Sequence, residues 1–188
     1  MKNLSDLEII ESVLRGNHSD FSILLNRYKN KAFSLLKRML KNEMEAEEVL
    51  QDCFLKAFNG LKNFKKESKF STWFYRIVYN TALTKLSVQK RKITNEMSSI
   101  DEHVNLFNDE DFKTSEKKDF SRFLNELIEK LPEKYSAVIS MFYLEEMNCE
   151  EISEVMQISV SNVKVLLYRS RNALRDVVVK NNYLEELL

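Results

Sequence analysis

FLKAFNGLKNFKKESKFSTWFYRIVYNTALTKLSVQKRK, residues 54–92, consists of a helix end, a short basic loop and a second, longer helix. Phe70, Phe74, Ile77 and Val78 recur at three and four positions, the spacing of one buried helix face. Ser71 suits the N-cap of this helix, which is expected to run to about Lys90. The run carries ten Lys/Arg (Lys56, Lys62, Lys65, Lys66, Lys69, Arg76, Lys85, Lys90, Arg91 and Lys92) against the single acid Glu67. Among the charges stand Phe64, Trp73, Tyr75 and Tyr79. Trp73, Tyr75, Arg76, Tyr79 and Asn80 do not all share the core face, because only residues three and four apart lie on one side of a helix. Cations attract phosphate whatever the base sequence, and flat rings receive bases pulled from a duplex. Aromatics at helical spacing also build ordinary cores, so composition leaves both readings open.

The rest of the chain is consistent with an all-α fold. Its 188 residues include one Pro and two Gly, too few for the turns of a sheet protein. No apolar run approaches the ~18 residues that a membrane span needs, and the basic-then-apolar start of an export signal is missing from MKNLSDLEII. The expected setting is therefore cytoplasmic. Cys53 and Cys149 sit far apart within apolar helical patterns and read as small buried residues, not a disulfide or metal pair. His18 and His103 lack metal-ligand spacing, and no Gly-rich phosphate loop or nucleophile motif is present. No catalysis, metal or cofactor is expected.

Net charge is zero but unevenly distributed. Residues 1–95 carry 18 bases and 10 acids, residues 96–130 carry 5 and 10, and residues 131–188 carry 6 and 9. Such asymmetry marks separate jobs in separate parts. A first helix is expected over 6–15, opened by the capping box Ser5-x-x-Glu8 and ended at Gly16. A second, from about Asp20 to Asn42, carries the stripe Phe21, Leu24, Leu25, Tyr28, Ala32, Leu35, Leu36, Met39 and Leu40. A third, about Glu45–Asn59, opens on acids that suit the positive end of the helix dipole and ends at Gly60. Residues 93–114 turn polar and acidic and read as a flexible linker, either solvated or lying against the basic segment.

A second helical domain is expected over 115–188, with a helix at about 116–130 and Pro132 in the first turn of the next, 132–144. Asn148 and Glu151 form another capping box. Gln157-Ile158-Ser159 then makes a turn into a helix capped by Ser159, with Val160, Val163, Leu166, Leu167 and Ala173 inward. Two short helices joined in this way form a helix-turn-helix, whose second helix enters the major groove. Asn162, Lys164, Tyr168, Arg169 and Arg171 lie on or near its outer side. An ordinary helical hairpin has the same pattern.

Together these motifs resemble one family, the extracytoplasmic-function (ECF) group of bacterial RNA polymerase sigma factors. EAEEVLQDCFLKAF (45–58) and FKKESKFSTWFYRIVYNTAL (64–83) resemble sigma region 2, and residues 131–175 resemble region 4. The resemblance implies two small helical domains, 1–92 and 115–188, joined by the linker 93–114. It implies that Glu48, Gln51, Asp52, Phe54 and Leu55 dock on the clamp coiled coil of the polymerase largest subunit, and that the β flap is a further contact. Lys62, Lys65, Lys66, Lys69, Trp73, Arg76, Tyr79 and Asn80 would meet the −10 element and its separated strand. Ser159, Ser161, Asn162, Lys164, Tyr168, Arg169 and Arg171 would read the −35 duplex. An anti-sigma factor is an implied partner.

Three departures from the family pattern stand out. Where relatives usually carry Thr-Val-Lys-Ser-Arg-Leu, this chain has Asn162-Val163-Lys164-Val165-Leu166-Leu167, so polar −35 contacts are lost. The turn glycine is Gln157, tolerable where that backbone is not left-handed. After Asn80, Leu83-Thr84-Lys85-Leu86 replace an Asp and paired Arg, which bears on duplex contacts upstream of −10. Other readings are a stand-alone helix-turn-helix regulator and an RNA-binding adaptor.

Overall fold

The computed structural model describes residues 4–97 and 119–180. Among them every regular element is helical: α1 (Asp6–Leu14), α2 (Phe21–Leu40), α3 (Glu43–Gly60), α4 (Phe70–Met97), α5 (Asp119–Glu129), α6 (Glu133–Ile139), α7 (Cys149–Met156) and α8 (Val160–Lys180). Short 3-10 turns occupy His18–Asp20 and Leu61–Asn63, and a π turn, Ser140–Leu144, follows α6.

Capping chemistry sets several of these limits. Ser5 and Glu8 exchange hydrogen bonds at the start of α1, and Asn148 and Glu151 do the same at α7. Asn42 caps α3 through its side chain, so the helix starts at Glu43, two residues upstream of the expected Glu45. Ser71 is not a cap. Helix α4 begins at Phe70, and the Trp73 N–H already bonds to the Lys69 carbonyl, so Ser71 lies inside the first turn. Pro132 is the N-cap of α6 and stands outside its first turn. Gly60 does not stop α3 through a left-handed turn: its φ is −85° and the chain runs straight into the 3-10 turn. Residues 93–97, expected in the linker, are the end of α4, while 98–114 and the start of the helix expected at 116 fall outside the described residues.

One continuous core joins both halves. Helix α2 packs on α3 and α4 on one side and on α5 and α6 on another, while α7 lies along α4 and under α8. Arg38 of α2, 6% exposed, donates to Asn125 Oδ1 of α5 at 2.6 Å. Burial pulls its pKa down, and the charges of Glu129 and Glu145 oppose that fall. The embedding of α4 corrects the sequence reading at Tyr79, expected at the strand-capturing surface but only 3% exposed; Tyr75, at 2%, belongs to the core as well. Cys53 is buried, its thiol pKa pushed up to about 11 by desolvation, but Cys149 at the head of α7 is only half-buried.

Gln157, at the turn between α7 and α8, sits at φ 55° and ψ 44°, in the left-handed region that favours glycine. That conformation costs a side-chain-bearing residue roughly 1–2 kcal/mol. Gln157→Gly relieves it, less the extra chain entropy glycine loses on folding. A net gain of about 0.5–1 kcal/mol is expected, read as a melting temperature about 1–4 °C higher. An unchanged or lower value would show that the Gln157 side chain compensates the strain.

Candidate nucleic-acid interface

The outward strip of α4 is Trp73, Arg76, Ile77, Asn80 and Thr84, at the three-and-four spacing of one helix side. Trp73 is half-buried. Its ring rests on Phe64 and Phe70, with centroids at 5.3 and 5.6 Å, so its orientation is held by core rings. Its outer edge lies over Gly60, where a Cβ would stand 3.2 Å from indole Cζ2. Any larger residue here would press on the indole edge and require it to shift by a few tenths of an ångström.

Trp73 and Arg76 separate two open clefts. One, of about 390 Å³, is lined by Lys56, Gly60, Ile77, Asn80, Thr81 and Thr84 besides the pair itself. The other, of about 430 Å³, is lined by Asn63, Phe64, Lys65, Glu67, Ser68 and, from α7, Glu154. An indole flanked by a guanidinium and lysines between two clefts can stack a base and hold its phosphate.

Of the residues expected at this site, Lys65, Trp73, Arg76 and Asn80 come together. Lys62 is exposed on the neighbouring 3-10 turn. Lys66, at φ 60°, turns toward α1 and pairs with Glu11 at 2.7 Å. Lys69 reaches Glu151 of α7 at 2.8 Å, a hydrogen bond that raises its pKa. On the Glu151 side burial works to raise the carboxyl pKa, but Lys69 and the Asn148 backbone outweigh it and hold it low. Tyr79 is enclosed, its hydroxyl pKa pushed up by burial, so it offers no free face to a base in this arrangement. Lys56 and Thr84 were missed. Continuing the series Trp73, Arg76, Asn80 by one more turn would have found Thr84. Lys56 required knowing that the end of α3 lies beside α4, where its ammonium donates to Thr81 Oγ1 at 3.2 Å.

A second surface is the outer face of α3. Glu48, Gln51, Asp52 and Leu55 are exposed there, Leu55 to 61%. Glu48 accepts from Lys85 at 2.7 Å. Phe54 is a correction: it is 7% exposed and packs on Phe74 at 4.8 Å, within the core. Met44, one turn before Glu48 and 81% exposed, belongs to this face and was overlooked.

The third surface is α8. Ser159 Oγ accepts from the Asn162 N–H at 3.3 Å and lies 2.9 Å from Ser161 Oγ. Ser161, Asn162, Lys164, Tyr168 and Arg169 are exposed. Arg171 is exposed but engaged: its Nε donates to the Tyr143 hydroxyl at 2.7 Å, and its guanidinium lies over the Phe142 and Tyr143 rings. The two departures in this helix separate. Leu166 is half-buried and packs on the core, whereas Val165 is 47% exposed.

Comparison with known proteins follows the same division. Sigma-70 region 2 matches residues 24–92, and Sigma-70, region 4 matches residues 124–174. The ECF RNA polymerase sigma-E factor of Haemophilus influenzae is 30% identical over 184 residues, covering 94% of this chain and 97% of that protein. The ECF RNA polymerase sigma factor SigW of Bacillus subtilis is 32% identical over 176 residues, covering 88% and 92%. In fold the chain is similar to the sigma factor RpoE of Bartonella quintana, solved in complex with the anti-sigma factor NepR. That likeness has a TM-score of 0.67 at 17% identity and covers 85% of this chain and 96% of the other.

Proposed function

This chain belongs to the ECF group of RNA polymerase sigma factors, and on that premise we propose how its surfaces divide the work of promoter-specific initiation. Residues 1–92 dock on core polymerase through the exposed α3 face and capture the −10 strand at the Trp73–Arg76 clefts. Residues 115–188 read the −35 duplex with α8, and residues 93–114 connect them. The observation that carries this reading is the placement of Trp73 and Arg76 between two open clefts, on a strip of α4 backed by the aromatic core.

Magnitudes set the division of labour with the polymerase. Each opened base-pair step costs about 1.4 kcal/mol of stacking. Each base captured on a ring recovers roughly 1–3 kcal/mol. Two or three captured bases offset only a few steps, so this chain traps what the polymerase opens and does no bond chemistry itself. A stand-alone helix-turn-helix regulator is disfavoured, since it leaves the region 2 half without a task. Among the described residues no helix is long and apolar enough to cross a membrane, in keeping with work beside polymerase in the cytoplasm. The anti-sigma factor bound to the Bartonella relative supports the same class of partner here.

Run-off transcription with purified core polymerase on a genomic promoter library is the direct test. Start sites that appear only with this chain are expected, and none would overturn the reading. On the docking face, Asp52→Lys reverses one exposed charge toward a basic partner and is expected to weaken core binding roughly tenfold. Unchanged affinity in a pull-down would remove α3 from the interface.

A further inference from the structure

The first turns of a recognition helix carry the side chains that reach base edges. In α8 the centre of that outward face is Val165. Ser161 and Asn162 lie one turn before it and Tyr168 and Arg169 one turn after. All four are exposed. Leu166, its sequence neighbour, is half-buried and turned toward the core.

Valine has no donor and no acceptor. It cannot distinguish the hydrogen-bonding patterns that mark guanine, adenine or cytosine in the major groove. Set against N7 and O6 of guanine it would leave acceptors desolvated and unpaired. The one apolar feature on a major-groove edge is the 5-methyl of thymine. We propose that Val165 is a specificity-determining residue that selects thymine at one position of the −35 element through methyl contact. Lys164 and Arg169 beside it hold the flanking phosphates, and Tyr168, 66% exposed, closes the contact on the next turn. This rests on α8 being the −35 reader.

The test uses the chain assembled with core polymerase. Promoters are selected from a library randomised across the −35 region, and the enriched thymine is then replaced by uracil, which removes the methyl and leaves pairing unchanged. The swap alters only the DNA, so folding of a variant cannot confuse it. With the natural chain, uracil is expected to lower holoenzyme affinity about fourfold, the worth of one methyl group withdrawn from water. With Val165→Ala, whose shorter side chain still presents one methyl, the thymine–uracil difference should shrink, and with Val165→Ser it should vanish and the enrichment relax at that position alone. Specific initiation combined with no enriched thymine, or with equal binding of thymine and uracil, would overturn the proposal and leave the −35 assignment standing. Absence of any selected sequence in the −35 region would overturn both.

Discussion

Trp73→Ala is expected to cut open-complex formation by roughly five- to 150-fold while core-polymerase affinity stays within about twofold, a loss equivalent to the 1–3 kcal/mol of one base–ring stack. Trp73 forms the wall shared by both clefts, while the exposed acids of α3 lie on a different helix. Losing the ring removes the stacking platform and leaves the docking face in place. Because the indole also leans on Phe64 and Phe70, some stability goes with it. Trp73→Phe separates the two effects, since it keeps a flat face and most of the packing. Permanganate reactivity of unpaired thymines measures opening, and a pull-down measures docking. An equal fall in both for Trp73→Ala would reduce this residue to a core member.

The largest loss of stability is expected one residue on. Phe74 is fully buried, stacked on Phe70 at 5.9 Å and close to the rings of Phe54, Tyr28 and Tyr75. Phe74→Ala empties the point where α2, α3 and α4 meet and should cost about 3–5 kcal/mol. For a chain of this length that lowers the melting temperature by about 6–20 °C. Thermal unfolding followed by circular dichroism checks it, with exposed Arg76→Ala as the control, expected within about 0.5 kcal/mol of the natural chain. A Phe74→Ala shift as small as that of the control would mean this cluster is loosely packed.

Local chemistry was readable from the residues, and long-range packing was not. Ser5 with Glu8 and Asn148 with Glu151 announced two helix starts because both partners of each box lie within four residues. The α2 stripe was equally plain, since one face of that helix meets the core along its length. Tyr79 was misplaced for the opposite reason: α4 is covered by α2 and α3 on one side and by α7 on another. A helix enclosed on two sides buries residues that a single amphipathic stripe leaves outside. Phe54 was placed on the docking face by the family resemblance, while its helical pattern belongs to the apolar side of α3 where the structure buries it. The left-handed turn at Gln157 is a backbone property that a glutamine does not advertise. Within the candidate site, Trp73, Arg76 and Asn80 were legible from their spacing. Lys56 was not, because it arrives from another helix.

Three ion pairs between the halves of the molecule share one direction. Lys31 meets Glu145 at 3.4 Å, Lys69 meets Glu151 at 2.8 Å and Lys90 meets Glu133 at 3.3 Å, each base from the first half and each acid from the second. The Tyr75 hydroxyl donates to Glu145 in the same sense. Three bases of the first half are thus neutralised by carboxylates of the second. On the proposed −10 reading, promoter phosphate and Glu151 of α7 are rival partners for Lys69.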